Sequence, residues 1–459
     1  MKTRVKAVII LASGLLWINN VLGQENTTLP EIGLLRAEED YSRLAEQESK
    51  SLIEQLKYIP LGKRSYLSMG GEARYLAERF HNNGWDEASG NVGWLLQRYV
   101  LHTDWHFGNF RTFVQLHSAH QGLTDEAPRG VDVDELDFHQ LFVEYNLPLT
   151  AGQNLKGRLG RQEFWLGSRR LISMREGPNV RLAFDAARLF YERPGFTVEG
   201  MYARLVENEP GVFDNRSTEE EQFWGIYSVT ENLIGPFNTD VYYLGFYSTL
   251  REYDQGQADE TRHSIGTRIW KNGAFKVNAE AIYQWGSYGN GDISAYTVSL
   301  DISKKTRLPL NPTFGIKSEI VSGDRDPLDE DLQTFNAFYP RGAYFGLIAL
   351  IGPANLIDVH PSVSVGLTKN VGFTFDWDIF WRHKTSDGIY GPNKALERSG
   401  EGSNSNYIGH QPGFEIAYEP NRYWSFSLEG SWFIAGDFFE DTGTSENVLH
   451  FASSARFRF

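Results

Sequence analysis

The chain has 459 residues, of which 41% are hydrophobic and 22% charged, with a mean hydropathy of −0.41. That composition cannot supply the repeated ~20-residue apolar runs of a polytopic helical membrane protein. Aromatics make up 14%, with 45 Gly and no Cys. The surplus of β-forming rings and turn residues points to an all-β chain. The lack of Cys excludes disulfides, thiolate zinc sites, thiol catalysis and a lipid-anchored N-terminal Cys. A formal charge of −15 excludes nucleic acid as a partner.

Lys2, Arg4 and Lys6 precede an apolar run from Ala7 to Ile18, and Val21-Leu22-Gly23 offers a cleavage region before Gln24. Residues 1–23 therefore read as a secretory signal peptide, since the run is too short for a membrane anchor. Without those three cations the formal charge falls from −15 to −18. Residues 24–64 read as a periplasmic N-terminal segment with one or two short helices, because Leu34, Leu35, Tyr41, Leu44, Leu52, Ile53 and Leu56 recur at spacings near three and four.

From residue 65 to 459 the period changes to two. Phe373, Phe375, Trp377, Ile379 and Trp381 share one face of a segment whose other face carries Thr374, Asp376, Asp378 and Arg382. Segments of this kind are expected near 66–80, 92–107, 110–121, 135–148, 154–165, 180–192, 196–206, 221–230, 238–248, 261–270, 274–289, 293–304, 312–322, 357–368, 371–383, 409–419, 423–434 and 448–459. Tight links follow the second, sixth, tenth, fourteenth and sixteenth of them: Gly108-Asn109, Arg193-Pro194-Gly195, Lys271-Asn272-Gly273, Lys369-Asn370 and Pro420-Asn421-Arg422. Long links rich in Gly, Asp, Asn and Pro follow most odd ones, with Asn290-Gly291-Asp292 a short exception. Short turns at one end and long loops at the other predict a transmembrane antiparallel up-and-down β-barrel of about 18 strands, with both chain ends on the periplasmic side of a bacterial outer membrane. The last segment alternates Phe451, Phe457 and Phe459 against Ser454, Arg456 and Arg458, like the terminal signal of outer-membrane barrels. Outer-membrane lipid and lipopolysaccharide are then its surroundings, and a monomer is expected.

GRQEFWLGSRRLIS from Gly160, RLAFDAARL from Arg181, FNAFYPRGAYFGLIALIGPANLIDVHPS from Phe335, LKYIPLG from Leu56 and SMGGEAR from Ser68 occur in this order. Together they resemble the alginate export family of outer-membrane barrels, over roughly Leu56 to Phe459. The resemblance implies a passive 18-stranded channel for an anionic polysaccharide, alginate or a similar uronate polymer, without an energy-coupling domain; whether periplasmic delivery proteins serve it is left open by the sequence. A uronate pore needs cations that touch carboxylates without trapping them, and Arg offers a planar fork for that contact. The inward strand phase nominates Arg74, Arg98, Arg111, Lys156, Arg158, Arg181, Arg262, Arg268, Lys276, Lys317 and Arg382. Inward acids include Glu72, Asp104, Glu144, Asp185, Glu280, Asp301, Glu319, Asp376, Asp378, Glu415 and Glu429, so cations crowd the first six strands and acids the fifteenth to seventeenth. The family motifs assign the constriction mainly to Arg161, Arg169, Arg170, Asp185 and Arg188. Arg158 with Arg161, and Arg181 with Arg188, cannot both face inward from a regular strand. Arg341 is expected on a long outer loop that folds over or into the pore.

No catalytic residues and no cofactor are expected. Gly323–Asp331 offers oxygen ligands for a structural Ca²⁺ within the Asp324–Asp331 loop, but without the spacing of a helix-loop-helix calcium site, so a solvated acidic loop is the simpler reading. His102, His106 and His117 read as polar pore lining, and the Asn26-Thr27-Thr28 sequon carries no meaning in a bacterial barrel. A general or other-solute porin shares the barrel without the anion preference. An outer-membrane hydrolase is the competing enzyme class, and no Ser, His and acid spacing nominates one.

Overall fold

In the computed structural model, which describes residues 30–459 apart from 48, 49, 125 and 151, the alternating segments become antiparallel strands. Residues 1–23, expected as a signal peptide, and the sequon lie outside the described residues. The strands are β1 (Ser65–His81), β2 (Asn91–Phe107), β3 (Phe110–Gly122), β4 (Asp134–Pro148), β5 (Asn154–Gln162), β6 (Phe184–Arg193), β7 (Phe196–Glu207), β8 (Arg216–Ile234) and β9 (Phe237–Tyr253). They continue with β10 (Gly256–Lys271), β11 (Phe275–Tyr288), β12 (Gly291–Lys305), β13 (Thr313–Val321), β14 (Leu356–Gly366), β15 (Val371–Arg382), β16 (Tyr407–Tyr418), β17 (Trp424–Ala435) and β18 (Val448–Arg458). Each pairs with its sequence neighbours, and β18 pairs with β1 from Glu72↔Arg458 to His81↔Leu449, which closes the barrel and leaves it without an open edge. Among the described residues no helix is long and apolar enough to cross a membrane, and the crossing is made by strands.

At the end that holds the last residues, links are short. Gly108 and Gly195 serve two-residue turns at φ of +62° and +75°, which a Cβ would disfavour. Long connections occupy the other end, chiefly 163–183, 322–355 and 383–406. Gly289-Asn290 is short, as expected. A second short outer link departs from expectation: β9 and β10 run on to Tyr253 and from Gly256, so residues 249–260 form a hairpin around Asp254-Gln255 rather than a loop. Outward positions such as Leu101, Leu141, Leu159, Leu189, Ile226 and Val298 are exposed, as a lipid-facing band requires. Phe107, Phe110, Tyr145, Phe275 and Phe314 ring the short-turn end, and Trp285, Tyr296, Trp432 and Phe451 lie toward the loop end.

The lumen is not a uniform polar tube. In its outer half inward strand residues Phe184, Phe223, Phe246, Phe380 and Phe433 are fully buried, and they pack with Ile172, Leu332, Phe338, Tyr339 and Ile351 from the loops. The loops thus fold back into the barrel around an apolar core. At the periplasmic end, residues 30–58 carry the short helix α1 (Leu52–Lys57), which Ser51 and Glu54 cap reciprocally. This segment is seated inside the barrel mouth at the periplasmic end. Ala37 clusters with inward Phe113 and Phe142, Arg36 donates to the carbonyls of Gly71 and Phe459, Arg158 pairs with Glu38 at 2.8 Å, and Arg111 donates to the Ala37 carbonyl. Ile59–Gly62 then adds a short strand beside the start of β1.

Candidate functional site

Two loops meet inside the barrel because their backbones need partners once away from water. In the 163–183 loop, the Leu171 carbonyl accepts from the Tyr339 amide at 2.8 Å and the Arg169 carbonyl from the Arg341 amide at 3.1 Å, so 322–355 lies alongside it. Buried Asn179 anchors the first loop, its amide donating to the carbonyls of Gln97, His120 and Asp132 at 3.1, 3.2 and 2.9 Å. The tip reaches the far wall. Arg170 pairs with Glu280 on β11 at 3.3 Å and with Glu319 on β13, while Ser168 donates to Glu280 and the Tyr344 hydroxyl to Glu319 at 2.7 Å. The passage is therefore crossed by a strap whose cation is neutralised on arrival.

Arg169 and Arg341 differ from every other motif cation. Arg169 turns back at φ +66°, lies 3.8 Å over the Trp165 ring, and remains half-buried; Arg341 is exposed. Neither has a carboxylate within 4.0 Å among the described residues. Burial first, and then the positive field of Arg341, hold the Arg169 guanidinium below its usual pKa, yet it stays cationic in water-accessible conditions. These two guanidiniums, without a carboxylate partner, thus stand on loops whose backbones fix each other.

Most of the remaining nominated cations are placed as follows. Arg74, Arg98 and Arg181 converge on three acids: Arg98 lies 2.7 Å from Glu72 and 2.7 Å from Glu176, Arg181 lies 2.5 Å from Glu176 and 3.4 Å from Glu163, and Arg74 is 4.0 Å from Glu176. Arg111 pairs with Asp104 at 2.7 Å, Arg158 with Glu144 at 2.6 Å, Arg188 with Glu199 at 2.5 Å and Arg268 with Asp240 at 3.0 Å. Arg382 faces inward but is sealed by the carbonyls of Thr385, Asp387, Ser403 and Ser405. These are wall pairs that hold loops and segment in place. Arg161 and Asp185 are corrections. The β4–β5–β6 register runs without a bulge, so Arg161 stands between exposed Leu141 and Asp185 on the face opposite Arg158, and the Arg161–Asp185 pair at 3.0 Å lies outside the lumen. A period of two forbids the alternative.

Sequence reading missed Glu163, Glu176, Trp165 and Tyr344, whose roles depend on where the loops land. The only available signal was Glu163, Trp165 and Tyr344 inside the quoted motifs; Glu176 lies in none of them. Opposite the paired cations, Asp358, Glu415 and Glu429 have no cation within 4.0 Å among the described residues, and His360 bonds Asp376 and Asp378. Of the histidines, His117 bonds Asp134 at 2.6 Å and stacks on His139, which bonds Glu163. In the Asp324–Asp331 loop, carboxylates of Asp324, Asp326, Asp329 and Asp331 accept from backbone amides. No cluster suited to a metal occurs among the described residues.

Comparisons with known proteins agree with the barrel. Pseudomonas aeruginosa OccK2 (OpdF), in a complex with glucuronate, is 12% identical, with 86% of this chain and 98% of that chain covered and a TM-score of 0.55. A BenF-like porin from Pseudomonas fluorescens Pf-5 is 11% identical, over 86% of this chain and 99% of that chain, at a TM-score of 0.54. Acinetobacter baumannii OccAB1 is 10% identical, over 88% and 99%, at a TM-score of 0.56. At such identities the likeness shows the fold. No curated protein sequence matches. The family model for alginate export matches residues 65–452, the whole of the barrel but its last few residues. This outer-membrane β-barrel chain belongs to the alginate export family.

Proposed function

We propose that the protein is a passive channel for anionic polysaccharide or its uronate oligomers, with Arg169 and Arg341 as the charges that meet the carboxylates. The observation that carries this reading is that these two guanidiniums, on the paired inward loops, lack carboxylate partners. A uronate carboxylate offers the planar acceptor that such forks match, and a site made of two loop cations with no carboxylate within 4.0 Å among the described residues binds without demanding that a wall pair break. Membership of the alginate export family supports the substrate class. The neighbour solved with glucuronate supports the idea that a barrel of this architecture accommodates a uronate. No covalent step is required of any residue.

The test is single-channel conductance in planar bilayers, with and without oligouronates, on wild type, R169E, R341E and R161E. Wild type is expected to be anion-selective and blocked by oligouronates; R169E and R341E lose both, and R161E, on the outer face, keeps both. Weakly selective current that ignores oligouronates and these substitutions would replace the reading with that of a general or other-solute porin.

A further inference from the structure

Below the strap, on its periplasmic side, the lumen widens into a recess of about 440 Å³ lined by Trp165 from the loop, Phe190 on β6 and Trp270 on β10. These rings are half-buried, whereas the lumen aromatics of the outer half, such as Phe184, Phe223 and Phe246, are fully covered. Apolar ring surface left facing a water-filled channel is unfavourable by about 25 cal/mol per Å² unless a ligand covers it. Each ring also carries a cation: Arg169 at 3.8 Å over Trp165, Lys156 at 4.5 Å and Arg188 at 4.6 Å over Phe190, and Arg268 at 4.9 Å over Trp270.

The floor of the recess is rigid. The Asp240 carboxylate accepts from the Trp270 indole at 2.7 Å, the Tyr227 hydroxyl at 2.7 Å and Arg268 at 3.0 Å, which fixes the Trp270 ring against the wall. Trp165 lines a second space of about 830 Å³, bounded by residues 30–44 of the N-terminal segment, so the two spaces meet at this ring on the way to the periplasmic mouth.

We propose that Trp165, Phe190 and Trp270 form a stacking subsite for the hexuronate rings of the polymer, adjoining the Arg169 and Arg341 constriction at the Trp165–Arg169 contact; this rests on the channel reading above. A pyranuronate has an apolar C–H face, a rim of hydroxyls and one carboxylate. The rings meet the first and Arg169 the last, while the Glu192, Glu199 and Asp240 carboxylates, which already neutralise Lys156, Arg188 and Arg268, meet the hydroxyls. The volume falls in the ordinary range for small-ligand sites.

The experiment measures residence times of a defined trimeric uronate in planar bilayers, with the reversal potential in a salt gradient recorded on the same channels, for wild type, W270A, W165A and W165F. Residence is expected to shorten about tenfold in W270A and W165A and to recover largely in W165F, while the reversal potential moves far less than in R169E. A neutral hexose trimer of equal length is expected to leave sooner than the uronate. Unchanged residence in both alanine variants, while R169E still abolishes blockade, would overturn the subsite and leave the channel reading intact. Equal residence of neutral and uronate trimers would overturn its anionic preference. If wild type is never blocked by the uronate, both readings fail together.

Discussion

Lys57 closes α1 with its ammonium buried over the Tyr41 ring at 4.8 Å and the Phe459 ring at 5.9 Å, and without a hydrogen-bond acceptor. Burial lowers its pKa to about 7, the cations Arg36 and Arg422 push in the same direction, and Glu39 and Asp104 oppose them. A Lys released to water titrates near 10.4. Between about 7 and about 10.4 the unseated segment therefore holds a proton that the seated one lacks, so seating strengthens as pH rises through that window and is weakest below it. The slope is at most about tenfold per pH unit. Hydrogen exchange of residues 30–58, corrected for intrinsic rates, is expected to slow from pH 7 to pH 9 in wild type and to show no such change in K57M; equal protection at both pH values in wild type would contradict this. Residue-level reasoning from sequence succeeded where the strand phase was set correctly, as for Arg98 or Glu415, and failed at Arg161, where family motif outweighed strand phase, and at Asp185, where the phase itself was one residue off, since Phe184, Ala186 and Arg188 face inward.

At the scale of elements, strands were legible because lipid outside imposes one apolar face on each. The hairpin around Asp254 was not, because Gln255 to Glu260 stands beyond that constraint and alternates nothing. The short helical period of the N-terminal segment was visible too, but not its seat, which depends on Arg158, Arg111 and the Phe459 carbonyl from distant parts of the chain. Loops that enter the lumen obey the same limit: Arg170 reads as a free cation in sequence, and only the fold brings Glu280 and Glu319 to it. Removing one partner of such a pair costs about 3–5 kcal/mol, here borne by the strap rather than by the closed ladder. R170A is accordingly expected to raise open-channel current fluctuations while the heat-modifiable gel shift of the barrel stays within a few degrees of wild type. A matching fall in barrel stability would show that the strap holds up the wall. Deleting residues 30–58 is likewise expected to raise conductance, because the segment occupies the periplasmic mouth.

Across the whole molecule the lumen carries a transverse field. The wall from β1 to β7 holds Arg74, Arg98, Arg111, Arg158 and Arg188, and the wall from β14 to β17 holds Asp358, Asp376, Asp378, Glu415 and Glu429. On the first side nearly every cation is matched by an acid from a loop or a neighbouring strand, so its net field is small. On the second, Glu415 and Glu429 stand opposite each other in register without a cation. On the channel reading proposed above, a polyanion passing the strap is drawn by two loop guanidiniums and pushed by the far wall, which steers it toward the side where Trp165, Phe190 and Trp270 lie. If this balance governs permeation, neutralising the acids in E415Q/E429Q raises anion selectivity and also shortens the time an oligouronate spends near the basic wall, because the repulsion that holds it there is gone. Were the acids only structural, the double variant would change neither quantity, since neither side chain bonds a cation whose loss could rearrange the pore.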